Sequence, residues 1–256
     1  DVILTSDLEN LPIELVIARG IKVAKNGNTI IDPVLLKWPR SVRNTVKLSR
    51  NLIATDFLIS APKMKNSVKV KIIGVIENQA PTKLLTDMLP VENGVVHGDI
   101  DRDICQVALV ERHRGTGKIT NGFVSGFGYN GNCAVASTVA HDSHHMLVVG
   151  TDQQNMALAG NHLAKIGGGI TVFKDGLELA TVPLNIAGLM SDSPAKIVAE
   201  SANGMVSAMK ECGCGINNGY MQHSLLALAV IPELRISDLG LVDVEKFELT
   251  ELFDDI

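Results

Sequence analysis

The sequence predicts an α+β protein in which a β-rich first part is followed by strands mixed with two helices. Three observations predict it. Apolar Val68, Val70 and Ile72 alternate with Lys69 and Lys71 in the period of a half-buried strand. Helical spacing of three and four residues first arises over Gln153–Lys165 and returns from Ser193 to about Cys212. The elements also come as a β-rich stretch and then β-α-ββ-α, rather than as the strict strand-helix alternation of a parallel sheet. At 256 residues, 46% hydrophobic and 20% charged, the chain can bury a large core as one large domain or two smaller ones, which excludes disorder as its dominant state.

The first element is abrupt. Asp1-Val2-Ile3-Leu4 enters strand-like sequence with no initiator methionine, cap or polar lead, and further residues are expected upstream. Glu14–Thr29 reads as a hairpin meander, with Arg19-Gly20 and Asn26-Gly27 supplying turns, because Asn and Gly tolerate positive φ. Pro33, Trp38-Pro39 and the polar run Arg40–Arg43 interrupt the pattern and place a boundary near residues 33–60.

Strands are then expected from Val68 into Ile73-Gly74-Val75-Ile76, and at Val91–Val96, Ile104–Glu111 and Phe123–Gly126. The small apolar run Cys133–Ala140 and Met146–Val149 read as buried strands flanking a loop. Over Gln153–Lys165 the inner face is Met156, Ala157, Ala159, Gly160 and Leu163, and Gly167-Gly168-Gly169 ends the helix as left-handed C-caps do. Ile170–Phe173 and Leu177–Val182 form a hairpin across Lys174-Asp175-Gly176. For the second helix Ser193 is the expected N-cap with Pro194 at the first helical position; Ile197, Val198, Ala202, Met205, Val206 and Met209 form its inner face. Ile231–Val244 mixes proline, charges and glycine in an apolar frame and reads as a docked irregular tail.

Composition narrows the partners. A net charge of −5 with six Phe, two Tyr and one Trp disfavours a basic, ring-bearing nucleic-acid surface, so small molecules are expected. The longest wholly apolar run, Leu225–Ile231, is far short of the roughly 20 residues a membrane helix requires. Four cysteines, two of them in Cys212-Gly213-Cys214, do not make a disulfide framework, and reduced thiols in the cytoplasm are expected.

The densest chemical constellation is Ala140-His141-Asp142-Ser143-His144-His145, three imidazoles, a carboxylate and a hydroxyl between two apolar strands. Such a loop can aim titratable groups into a cavity, and it can equally cap backbone groups or sit at an interface. It lacks the His-Glu-x-x-His spacing of a helical metal site and a third ligand. The glycines of Gly122–Gly128 fit neither the dinucleotide fingerprint nor a phosphate loop and read as close backbone packing. Gly188–Ser193 reads as a turn into a helix start.

Taken together, Ser137-Thr138-Val139-Ala140-His141-Asp142-Ser143-His144, Val148-Val149-Gly150-Thr151, Gly167-Gly168-Gly169, Ile186–Asp192 and Val230–Arg235 make the sequence resemble the C-terminal part of bacterial-type adenine deaminases of the amidohydrolase superfamily, over residues 65–250. The resemblance implies that residues 1–60 belong to the small β-domain that follows a TIM barrel absent from this chain, and that 61–256 form the C-terminal domain. It implies hydrolysis of adenine to hypoxanthine and ammonia by metal-activated water, with a divalent metal, manganese or iron, held in the missing barrel and no metal ligand in this chain. It further implies a cytoplasmic homo-oligomer whose partners are adenine and the N-terminal barrel, without nucleic acid or membrane. His141, Asp142, Ser143 and His144 are the candidates near the purine site. Departures from the family pattern at His145 and at Tyr220-Met221-Gln222-His223-Ser224 leave open a different purine or aminated heterocycle. A non-catalytic assembly or regulatory module is the other class.

Overall fold

A computed structural model describes residues 1–32, 37–62 and 66–254, so Pro33 lies outside the described residues. The chain divides into two compact units, Asp1–Trp38 and Pro39–Ile256.

In the first unit, β1 (Val2–Leu4), β2 (Leu15–Ala18), β3 (Ile21–Lys25) and β4 (Asn28–Thr29) pair in sequence order as an antiparallel meander. The two expected turns are present. Arg19 and Gly20 have φ of 51° and 79°, and Asn26 and Gly27 have φ of 50° and 75°, the paired left-handed conformations of a type I′ hairpin. No described residue of this unit is buried, and Ile3, Leu8 and Ile21 are among its exposed apolar side chains.

The second unit is built on one ten-stranded sheet. Its strands are β5 (Ile59–Ser60), β6 (Ser67–Val75), β7 (Thr82–Glu92), β8 (Val95–Val96), β9 (Ile104–Val110), β10 (Ile119–Ser125), β11 (Cys133–Ser137), β12 (Met146–Gly150), β13 (Gly169–Lys174) and β14 (Leu177–Pro183). The spatial order is β14-β13-β11-β12-β9-β10-β6-β7-β8-β5, antiparallel throughout except where β10 runs parallel to β6. Val91–Val96, expected as one strand, is the end of β7 and all of β8 folded over a turn at Asn93-Gly94, both with positive φ. Gly94 and its Asn are hairpin chemistry inside an apolar run.

The central strands are covered on both faces, which is why they read as continuous apolar runs. Val107, Leu109, Val135, Leu147 and Val149 point to one core; Ala108, Val110, Ala134, Ala136, Met146 and Val148 point to the other, in period two. The second core is closed by α1 (Gln153–Ile166), through Met156, Ala159 and Leu163, and by Leu52 and Phe57, so residues 39–60 pack with this unit. Asp152 caps α1 by accepting from the Asn155 amide at 2.8 Å, and Gly167 ends it at φ 86°.

The first core is closed by α2 (Ala195–Glu211), by α3 (Gly219–Leu225) and by a three-stranded antiparallel sheet of β15 (Leu234–Ser237), β16 (Gly240–Asp243) and β17 (Glu248–Thr250). That sheet corrects the expectation of an irregular tail. Its Arg235 is fully buried and donates to the carbonyls of Ile231, Leu225, Ala80 and Pro232, so a charge that argued against a strand serves as a backbone clasp. Two details of α2 also differ from expectation. Pro194 is the N-cap and no side chain caps the helix, while Ile197 and Val206 are exposed and the buried stripe narrows to Met205, Ala208 and Met209. Gly122–Gly128 is packing, as read: a Cβ on Gly126 would meet Val75 at 2.9 Å.

The four cysteines are free and buried, and Cys212 is the C-cap of α2. His223 on α3 is fully enclosed; its Nε2 donates to the Val135 carbonyl at 3.1 Å and its Nδ1 has no partner. Burial pushes this imidazole down to about 4, against the Val135 carbonyl, whereas an unfolded histidine titrates near 6.5. Between those values the unfolded chain binds the extra proton, so this contribution to stability is complete above pH 6.5 and falls by about 3 kcal/mol as the pH drops to 4. His223→Gln is expected to flatten urea-unfolding free energy between pH 6.5 and 4.5; an unchanged acid slope would contradict the assignment.

Candidate functional site

The histidine loop joins β11 to β12 and is held by hydrogen bonds to its backbone. The His141 amide donates to the Ser224 carbonyl at 3.0 Å, and the His144 amide to the Ala140 carbonyl at 2.7 Å. The Ala140 amide donates to His144 Nδ1 at 3.2 Å, which leaves the ring proton on Nε2. His144 itself takes φ 51°. Burial, then the neighbouring His141 and Arg112, hold its imidazole below the usual histidine range, so at neutral pH it is an uncharged donor.

The four candidates are not equivalent. His141 and His144 meet edge to face with ring centroids 5.3 Å apart, whereas Asp142 and Ser143 are exposed at the loop tip and their side chains bond to no described residue. The loop therefore holds no pre-formed catalytic dyad among these four residues. Among the described residues, no group of three or more His, Cys, Asp or Glu is placed to hold a metal ion.

Beneath the loop lies Arg112, just past the end of β9 and 1% exposed, with no carboxylate partner among the described residues. Its Nε donates to the His144 carbonyl at 2.6 Å, and its terminal nitrogens donate to the Ala187 carbonyl at 3.2 Å and the Thr45 hydroxyl at 3.4 Å. Burial brings the guanidinium down to about 10, still charged at neutral pH. Thr138 ties the same region from the other side, donating to the Gly188 carbonyl at 2.6 Å and accepting from the Gly169 amide at 2.8 Å. Here glycine is required: Gly168 has φ 116°, and a Cβ on it would lie 2.5 Å from the Gly188 Cα. Three segments far apart in sequence, Thr138–His145, Gly167–Gly169 and Ile186–Gly188, thus meet around one buried arginine and one buried threonine. Asp192 closes the last of them, pairing with Arg43 at 2.6 Å and accepting from Asn185 at 3.0 Å.

Glu111 through Lys118 form the loop after β9; sequence reading took Glu111 as the end of the strand and singled out none of the others. The Glu111 carboxylate accepts from the amides of His113, Arg114 and Thr116 and from the Thr116 hydroxyl. Burial alone would raise it, but those three amides and the hydroxyl outweigh burial and bring it down to about 2. His113 Nε2 donates to the Ser143 carbonyl at 2.8 Å, and its ring lies 4.7 Å from that of His145. His145 is buried, its Nε2 is 3.8 Å from an Asp238 oxygen, and its Nδ1 has no partner. Beside them opens a cavity of about 430 Å³ lined by Glu111, His113, Arg114, Lys118, His145 and Asp238 with Thr116. The run Glu111-Arg112-His113-Arg114 directly after the apolar stretch Val107–Val110 was the available signal.

Comparison with known proteins gives the family of the chain. Residues 79–248 match the family model of the adenine deaminase C-terminal domain, and the chain belongs to that family. It is 62% identical over 252 residues to a protein of Paracoccus denitrificans (strain Pd 1222) named adenine deaminase, covering 98% of this chain and 42% of that protein. It is 64% identical over 248 residues to the adenine deaminase of Ruegeria sp. (strain TM1040), covering 97% of this chain and 41% of that protein. With the adenine deaminase of Moorella thermoacetica (strain ATCC 39073 / JCM 9320) the identity is 43% over 252 residues, covering 98% of this chain and 42% of that protein. The chain therefore spans about two-fifths of the length of the curated relatives it matches. No helix among the described residues is long and apolar enough to cross a membrane.

Proposed function

We propose that this chain is the C-terminal portion of an adenine deaminase that hydrolyses adenine to hypoxanthine and ammonia. The observation that carries the reading is identity of 62% sustained over 252 residues with the Paracoccus protein of that name. In this reading the remainder of the protein is an amidohydrolase-type barrel, and the β1–β4 sheet, with its exposed Ile3, Leu8 and Ile21, contributes to a β-domain completed by that remainder. The whole acts as a cytoplasmic homo-oligomer.

In this reading a divalent ion, manganese or iron, is held by the barrel, where it would supply the activated water. What this chain contributes is the histidine loop, placed at the mouth of the purine site. Adenine offers ring nitrogens as acceptors and an exocyclic amine as donor. The exposed Asp142 carboxylate accepts from that amine, while Ser143 or the Nε2–H of neutral His144 donates to a ring nitrogen, and His141 packs His144 into place.

Product analysis of the purified full-length protein tests the reading. Hypoxanthine and an equal amount of ammonia are expected from adenine, with a larger kcat/KM than for guanine or cytosine. A preference for another aminated heterocycle, or no turnover with any divalent metal, would overturn it.

A further inference from the structure

We infer that the cavity between the loop after β9 and the β15–β16 turn binds a small phosphate monoester that also carries hydroxyl groups. The two cations on its wall, Arg114 and Lys118, make no ion pair or side-chain hydrogen bond with any described residue. Glu111, on the same wall, forms no ion pair with either cation; its carboxylate oxygens accept instead from three amides and the Thr116 hydroxyl. A planar guanidinium and an ammonium left open on one concavity are the recognition chemistry of a phosphate. Across the cavity, Asp238 lies 3.8 Å from buried His145 and has its remaining acceptor positions open, which suits hydroxyl donors on the same ligand. A volume of about 430 Å³ is within the range of small-molecule sites and exceeds what an inorganic ion needs.

The cavity is also connected to the histidine loop. His113 lines it and donates to the Ser143 carbonyl, so a ligand held by Arg114 and Lys118 touches the residue that fixes the loop tip. The binding itself does not rest on the deaminase reading, and its test measures no turnover.

Isothermal titration of the full-length protein with ribose 5-phosphate, inorganic phosphate and ribose separates the contributions. Ribose 5-phosphate is expected to bind most tightly, phosphate more weakly, and ribose not at all. Arg114→Gln combined with Lys118→Gln is expected to weaken ribose 5-phosphate about tenfold or more, since charge-assisted bonds to phosphate are lost. Asp238→Asn is expected to weaken ribose 5-phosphate and leave inorganic phosphate unchanged. Circular dichroism melting of each variant keeps misfolding apart from loss of contacts. No saturable binding of ribose 5-phosphate, equal binding by the folded double variant, or ribose binding as tightly as its phosphate would each overturn the inference.

Discussion

Residues 1–256 by themselves are expected to leave adenine unchanged, whichever divalent metal is added. Hydrolytic deamination needs water made nucleophilic at neutral pH, and the described residues place no group of three ligands where an ion could do this. The loop does not substitute for it: Asp142 is exposed without a hydrogen-bonded imidazole, and His144 spends its Nδ1 on the Ala140 amide. A lone general base contributes about 10²–10⁴-fold, well below the roughly 10⁶-fold or more by which enzymes accelerate reactions. Ammonia and hypoxanthine, followed together over hours, read this directly. Sustained metal-dependent ammonia release at an enzyme's rate would show that a complete site lies within these residues.

Arg112→Met is expected to destabilise the protein by about 3 kcal/mol, among the larger effects available to a single substitution. The methionine fills much of the volume but leaves the His144 and Ala187 carbonyls without their donor, and each orphaned buried acceptor costs about 1–3 kcal/mol. Removing a buried charge that pairs with no carboxylate among the described residues relieves its desolvation cost and offsets part of this loss. Urea unfolding reads the change as a shift in midpoint at constant slope. Arg112→Lys, which keeps one donor, is expected to recover part of the loss. A shift below about 1 kcal/mol for Arg112→Met would mean that the bonds to His144 and Ala187 are dispensable.

Much of the fold could be read locally. The turns at Arg19-Gly20 and Asn26-Gly27 and the ends of α1 at Asp152 and Gly167 rest on positive φ and capping, which are properties of a few adjacent residues. The paired cores could also be read, since strands buried on both faces leave uninterrupted apolar runs such as Met146–Gly150. What escaped depended on partners distant in sequence. Arg235 argued against a strand until its acceptors at Ala80, Leu225, Ile231 and Pro232 were brought to it. Arg112 was not singled out, because Thr45, His144 and Ala187 converge on it only in the fold. At the start of α2, Ser193 and Pro194 are both competent for a cap position, and the extended backbone of Pro194, ψ 141°, decided between them. Of the candidate site, the sequence made the loop visible as a cluster. It did not show that Asp142 and Ser143 would stand outside while His144 turned inward, or that His145 would pair with His113 and Asp238 instead of joining them.

The central claim, that this chain supplies contacts to the purine through its histidine loop, is tested most directly by steady-state kinetics of full-length His141→Ala and Asp142→Asn on adenine. Each is expected to lower kcat/KM by about 10- to 100-fold, equivalent to roughly 1–3 kcal/mol of transition-state binding. Metal content is expected to stay near the unsubstituted value in both, and thermal unfolding in Asp142→Asn above all, because the Asp142 side chain is exposed and bonds to no described residue. Full activity in both variants together with a lowered unfolding temperature would contradict the claim and make the loop a structural element.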